Sequence, residues 1–179
     1  MFKKILIFLG VILVIIIAFL GYSGFLSKVT IVEKEVGPYI FVGKEYIGDY
    51  KMSGIHQDSI YKDLISKNIE VTKGFGIYRD DPEVVQPDKC RFMVGCVLPE
   101  KDTIRKGELE RESYIIQNMH ATKSMFVEFP FRSSLSIMAA VLKVYPALKK
   151  YSEEHNYQPV ESLEIYTEDK ILISMEIKK

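Results

Sequence analysis

The chain has 179 residues, with 24 basic and 24 acidic side chains and no net charge. That balance excludes a global field able to recruit nucleic acid. The length beyond the first segment, about 150 residues, suffices for one domain with its own core.

The first segment belongs to no globular core. Ile5 to Leu26 carries no charge over 22 positions. At about 1.5 Å per residue that run spans a hydrocarbon layer of roughly 30 Å. Lys3 and Lys4 precede it, which also suits a signal peptide, but the run exceeds an h-region of about 7–15 residues and no A-x-A-like site follows. The reading is an uncleaved signal anchor over residues 1–27, single-pass, contacting lipid through residues 5–26, with the domain at 28–179. Lys3 and Lys4 place the N-terminus inside, while Lys28 and Lys34 just beyond the span weaken the bias and leave the side of the domain open. A polar stub is expected between anchor and first strand.

Residues 29–36 alternate as a strand, Gly37-Pro38 is a turn, and 39–46 resumes extended structure. Tyr39-x-x-Val42 has the form of a short docking motif, but its place in a strand is the preferred reading. From Ser53, a candidate N-cap, the pattern turns helical with a stripe of Ile60, Tyr61, Leu64 and Ile65. A short strand at 75–78 is broken by Arg79-Asp80-Asp81-Pro82, and another strand covers 91–98. Cys90 and Cys96, six positions apart, would lie about 20 Å apart in an extended strand, too far for the roughly 7 Å a disulfide tolerates. They read as free thiols. A charged connector follows, with a short helix predicted at about 107–118.

The second half restarts with a strand at 125–131. Ser133 or Ser134 then caps a helix whose stripe is Leu135, Met138, Val141, Leu142, Tyr145 and Leu148, with a kink or stop expected before Pro146. Strands at 163–166 and 171–177 close the chain as a hairpin with an acidic tip. The halves agree in order: a Phe-Val strand, a helix, an x-Ile-Tyr strand, a further strand. Phe41 to Tyr78 is 37 positions and Phe126 to Tyr166 is 40. The pattern predicts an α+β domain of duplicated β-α-β-β modules related by a pseudo-twofold axis, with a ligand cleft between them.

Within Leu163-Glu164-Ile165-Tyr166 the strand period sends Leu163 and Ile165 to one face, expected to meet the helices, and Glu164 and Tyr166 to the other. Glu164 is therefore either solvated or set in an aromatic cleft. There it would attract a cationic ligand or act as a general base. Rings placed to line such a cleft are Tyr46, Tyr50, Tyr78, Phe92, Phe129, Phe131 and Tyr166. His56, His120 and His155 are scattered without metal-site spacing, and neither a phosphate-cradling loop nor a nucleophile elbow occurs. No metal or cofactor is expected.

Three stretches carry a family resemblance. KEYIGDYKMSGIHQDSIYKDL resembles the Gly-x-Tyr-then-helix opening of GyrI-like effector-binding domains, GIYRDDPEVVQPDKCRFMVG their middle, and LEIYTEDKILI their closing Glu-x-Tyr strand. The resemblance covers about residues 29–178. It implies paired modules of the SHS2 type and a small-molecule ligand held by Glu164, Tyr166, Tyr78, Tyr50, Phe92 and Phe131. Some relatives hydrolyse strained molecules with the same glutamate, so binding and hydrolysis both stay open, and no catalytic residue other than Glu164 is implied. Together with the apolar run, DDPEVVQPDKCRFMVG and FPFRSSLSIMAAVLKVYPAL look like the testis-expressed reticulophagy receptor family, an anchor followed by such a domain. That family continues into an acidic, disordered tail; the sequence ends at Lys179, and the expectation is a tail-less relative, with a tethered adaptor as the further alternative. The DNA-binding segment of GyrI-like regulators is not expected, because a short stub links anchor to strand.

Overall fold

In the computed structural model, residues 2–158 and 160–178 are described. The chain runs α1 (Phe2–Tyr22), β1 (Val32–Val36), β2 (Tyr39–Ile47), α2 (Ser53–Ser66), β3 (Gly74–Tyr78), β4 (Arg91–Val97), α3 (Lys106–Arg111), β5 (Ile115–Met119), β6 (Thr122–Pro130), α4 (Ser134–Glu154), β7 (Ser162–Tyr166) and β8 (Lys170–Glu176). The eight strands form one antiparallel sheet in the order β1-β6-β8-β7-β3-β4-β2-β5. That order reads the same from either end once β1 is matched to β5, β2 to β6, β3 to β7 and β4 to β8. The duplicated α+β architecture read from the sequence is thus present. Each module adds a leading strand, β1 or β5, which crosses over to pair with the other module's β6 or β2.

Val36 from one edge strand and Met119 from the other join a single apolar cluster with Phe41, Phe75, Ile77, Met93, Phe126, Leu163 and Ile165. The sheet therefore curls into a half-barrel around that cluster. Leu163 and Ile165 point into it, away from the helices, which corrects the expectation that this pair meets them. Both α2 and α4 lie on the opposite face, over two further clusters. One holds Ile60, Leu64, Phe92 and Val94, the other Val127, Phe129, Ala140, Val144 and Ile173. Cys90 and Cys96 are both buried and free, as their spacing requires.

Curling demands one tight crossing between β2 and β4, where Gly43 and Gly95 pair directly. A Cβ on Gly95 would stand 2.1 Å from the Val42 carbonyl oxygen and 2.6 Å from the Gly43 Cα. Backbone atoms cannot yield as a flexible side chain does.

The apolar stripes were only partly legible. In α2, Ile60 and Leu64 are buried while Tyr61 and Ile65 stay exposed; α2 has no side-chain N-cap, and Asp49 instead caps the 3-10 turn Tyr50–Met52 that leads into it, its carboxylate accepting from the Lys51 amide at 3.0 Å. Ser53, expected as the N-cap, is the first helical residue. In α4, the buried set is Ser136, Ala139, Ala140, Val144 and Leu148, whereas Met138, Val141 and Leu142 are exposed. Small residues let the helix sit close to the sheet, so they, and not the largest apolar ones, define its inner face. Ser133 is the N-cap, and the Ser136 hydroxyl accepts from its amide at 3.2 Å and from that of Arg132 at 3.0 Å. The helix passes through Pro146 to Glu154 and does not stop at Tyr145. The helix expected at 107–118 ends at Arg111, since Ser113 takes a left-handed φ of 66°, and Ile115–Met119 becomes strand β5.

Among the described residues one helix, α1, is long and apolar enough to cross a bilayer, with a mean hydropathy of 3.1 and none of that stretch buried; a signal sequence near an N-terminus meets the same test. The segment joining α1 to β1, expected as a polar stub, is docked on the domain through apolar residues as well. Ser23 and Gly24 are buried, and Phe25, Val29 and Ile31 pack into the α4 cluster.

Gly95→Ala is expected to destabilise the domain by about 1–3 kcal/mol, the usual range for overpacking. Chemical denaturation of the full chain in detergent micelles measures it, and an unchanged midpoint would show that the β2–β4 crossing can open.

Candidate functional site

Strands β3 and β7 pair at the middle of the sheet, in the register Gly76↔Glu164 and Tyr78↔Ser162. Gly76 and Glu164 are corresponding positions of the two x-Ile-Tyr strands, so the pseudo-twofold axis passes between them. Two carboxylates set directly opposite here would repel at short range inside a buried site. One of the two positions must therefore lack a charge, and glycine adds a second benefit. The Tyr78 ring folds back over Gly76, where a Cβ would meet it at 2.8 Å.

Glu164 is 4% exposed. Tyr145 of α4 donates to its Oε1 at 2.5 Å and Tyr166 donates to its Oε2. The Tyr145 hydroxyl also contacts Ser162 Oγ at 3.2 Å. Burial pushes the Glu164 carboxyl above its ordinary range, and the two tyrosine hydroxyls pull the other way without cancelling it. Burial, and then the nearby Glu164 charge, push the Tyr145, Tyr166 and Tyr78 phenols up.

Over this floor, α2 and α4 leave a groove of about 510 Å³ between them. Tyr50, Ser53 and Gln57 line its α2 side, Phe131, Ile137 and Tyr166 its α4 side, with Gly74 between. Charged groups on the lining are Asp58 and Glu168 against Lys51, an acidic balance. The tyrosines cap Glu164, so the carboxylate lies beneath the groove and not on its surface.

The ring residues expected near Glu164 fall into two groups. Tyr50 meets Tyr78 edge-on at 4.9 Å between centroids, and its hydroxyl accepts from the Asp80 amide at 3.0 Å while approaching the Arg91 carbonyl at 3.2 Å. Phe131 meets Tyr166 edge-on at 5.9 Å. Glu164 joins the groups, because Tyr78 and Tyr166 both border it. Phe92, 1% exposed, lies under Tyr46, Tyr50 and Tyr78 as core support; burial removes it from the groove lining, and Phe129 is core likewise. Tyr46 stacks on His56 at 3.9 Å, outside the groove lining. Tyr145 was missed as a site residue, for its helical spacing made it one of an apolar stripe. Gln57, whose amide donates to the Gly95 carbonyl at 3.4 Å, carried no sequence signal at all. No cluster of metal-ligating side chains occurs among the described residues.

No family model matches the sequence. Among solved structures, the EcmrR C-terminal domain superposes with a TM-score of 0.59 over 84% of this chain and 98% of that one, at 15% identity. SAV2435 bound to tetraphenylphosphonium gives 0.56 over 84% and 94%, at 10% identity. The domain has the GyrI-like fold. By sequence the chain resembles testis-expressed protein 264. Identity to the Mus musculus homolog is 30% over 161 residues, 86% of this chain and 50% of that protein. Identity to the Homo sapiens protein is 30% over 166 residues, 89% of this chain and 51% of that protein. The chain thus spans about half the length of these relatives.

A raised carboxyl pKa in the folded GyrI-like domain has a definite sign for stability. The native state holds the Glu164 proton more tightly than the unfolded chain, so its contribution is full below the ordinary value of 4.5 and is lost as pH rises through the folded value. Denaturation midpoints measured from pH 4 upward are expected to show this fall in the native chain, and Glu164→Gln is expected to flatten it. Equal slopes in both would mean that Glu164 stays hydrated. Tyr145→Phe is expected to cost about 1–2 kcal/mol of stability by withdrawing a donor from a buried carboxyl group.

Proposed function

We propose that the chain is a membrane-anchored GyrI-like domain that binds a small lipophilic or cationic molecule in the groove above Glu164. One observation carries this reading: a buried carboxylate at the module axis, capped by tyrosine hydroxyls, under a groove walled by aromatic rings. A carboxylate with a raised pKa gains from any cation that replaces its lost hydration. Ring faces of Tyr50, Tyr78, Phe131 and Tyr166 attract the same cation through their quadrupoles, each by about 0.5–2 kcal/mol. SAV2435, of the same fold, is seen with tetraphenylphosphonium, a large apolar cation. In this reading Tyr166 rotates off the carboxylate and, with Tyr78 beside it, becomes a wall of the site. The helix α1 holds the domain at a bilayer.

Titration calorimetry of the full chain in detergent micelles with tetraphenylphosphonium tests the reading. Glu164→Gln is expected to weaken binding about tenfold, which corresponds to about 1.4 kcal/mol. Affinity is also expected to rise with pH through the titration of Glu164, since a bound cation favours the ionised form. An unchanged Kd in the mutant, with the fold intact by circular dichroism, sinks the role of this carboxylate.

A hydrolytic reading draws on the same atoms, because a carboxyl group with a raised pKa is suited to general acid–base work near neutral pH. It requires turnover of a strained electrophile that disappears in Glu164→Gln. A folded chain inert toward epoxides and activated esters would leave binding alone.

A further inference from the structure

The segment after α1 is docked along α4 from end to end. Ser23 Oγ lies 3.0 Å from Ser133 Oγ at the first turn. Lys143 Nζ, in mid-helix, donates to the Phe25 carbonyl at 2.8 Å and the Ser27 carbonyl at 2.5 Å. Tyr157, just past the helix, donates to Glu33 at 2.6 Å. The exit of α1 is therefore fixed at the N-terminal end of α4. It is held there tightly: Gly24, at a φ of 98°, approaches so close that a Cβ would stand 2.8 Å from the Phe129 ring, and the Arg132 guanidinium lies 5.2 Å from the centre of the Tyr22 ring.

The groove reaches this same end of α4. Phe131, Ile137, Tyr166, Thr167 and Glu168 line it there, and the Phe131 amide donates to the Asp169 carbonyl at 2.8 Å in the β7–β8 turn. The loop from Pro130 to Ser133 thus has the anchor exit on one side and the groove on the other. Large apolar side chains of the exit segment and of the outer face of α4 are left uncovered: Leu26 is 74% exposed, Met138 53% and Leu142 61%. Uncovered apolar groups beside a membrane span are suited to the apolar edge of the lipid interface.

We infer that the groove takes its ligand from the bilayer, admitting a lipophilic cation already dissolved in the leaflet through the Phe131–Tyr166 mouth. This rests on the anchored, cation-binding reading above. A large apolar cation concentrates in lipid, so a mouth held against the leaflet meets far more of it than one facing water. Glu168 at the mouth and Glu164 at the floor set two carboxylates in sequence along that route. The docked segment fixes the pose: without it the domain would tumble on a tether and the mouth would spend most of its time in water.

Two measurements on the full chain in phosphatidylcholine nanodiscs test the inference. First, a fluorophore on Asp169→Cys, beside the mouth, is expected to be quenched by nitroxide-labelled lipid several-fold more than one on Val84→Cys, which lies in the loop beyond the opposite end of β3. Equal quenching overturns the pose. Second, a ten-residue Gly-Ser insertion between Tyr22 and Ser23 leaves the docked segment on the domain and frees the domain from the anchor. Stopped-flow association of tetraphenylphosphonium, followed by tyrosine fluorescence, is expected to slow several-fold in that variant with the amplitude retained. Equal rates overturn access through the leaflet while leaving the binding function intact. Absence of any binding amplitude in the native chain overturns both.

Discussion

The pairing of Gly76 with Glu164 at the centre of the sheet is the constraint on which the site depends. Duplication of one module about a twofold axis makes its two central strands neighbours, and this register makes two corresponding residues face one another. Symmetry would place like side chains in contact at that point. A buried carboxylate tolerates no twin there, so the modules must differ at the axis. Glycine resolves the conflict and leaves the space into which Tyr78 folds. A single carboxyl group, ringed by Tyr78, Tyr145 and Tyr166, is the outcome.

The rest of the architecture holds that point dry and rigid. Exchange of β1 and β5 between modules locks the halves together at both edges of the sheet, and the curl seals one face of β3 and β7 with Phe41, Phe75 and Met93. On the other face the helices stand apart above the axis. The α4 side brings a hydroxyl, Tyr145, to the carboxylate, while α2 brings Ser53 within 3.3 Å of the Tyr78 hydroxyl. The two walls differ because the modules have different sequences, and a ligand without twofold symmetry meets different chemistry on each.

Electrostatics at the floor and at the surface follow opposite rules. Glu33 is held down to about 2 by the Tyr157 hydroxyl and Lys123, where solvent still reaches the group. Glu164 also receives two phenol donors, yet its pKa rises, because loss of hydration outweighs them. Phenol donors thus tie down the docked segment at Glu33, while at Glu164 they leave the lost hydration incompletely replaced.

By itself the sequence determined the apolar leading helix, the module duplication, the two x-Ile-Tyr strands and the free cysteines, all of which rest on local period or on spacing along the chain. It also marked Glu164, Tyr166, Tyr78, Tyr50 and Phe131 as neighbours through a family resemblance. Packing decided the rest. The inner face of α4 went to Ala139, Ala140 and Val144 and not to the larger Met138, Val141 and Leu142, since distance between helix and sheet is a property of the assembled layers. Leu163 and Ile165 turned from the helices because the sheet curls, and curl arises from pairing between strands remote in sequence. Phe92 became core and Tyr145 became a ligand of the carboxylate for the same reason. The docking of residues 23–33 along α4 had no local signal, for its contacts join residues more than a hundred positions apart. Strand register, finally, placed Gly76 against Glu164, and only that register explains why one of two matching strands carries a charge.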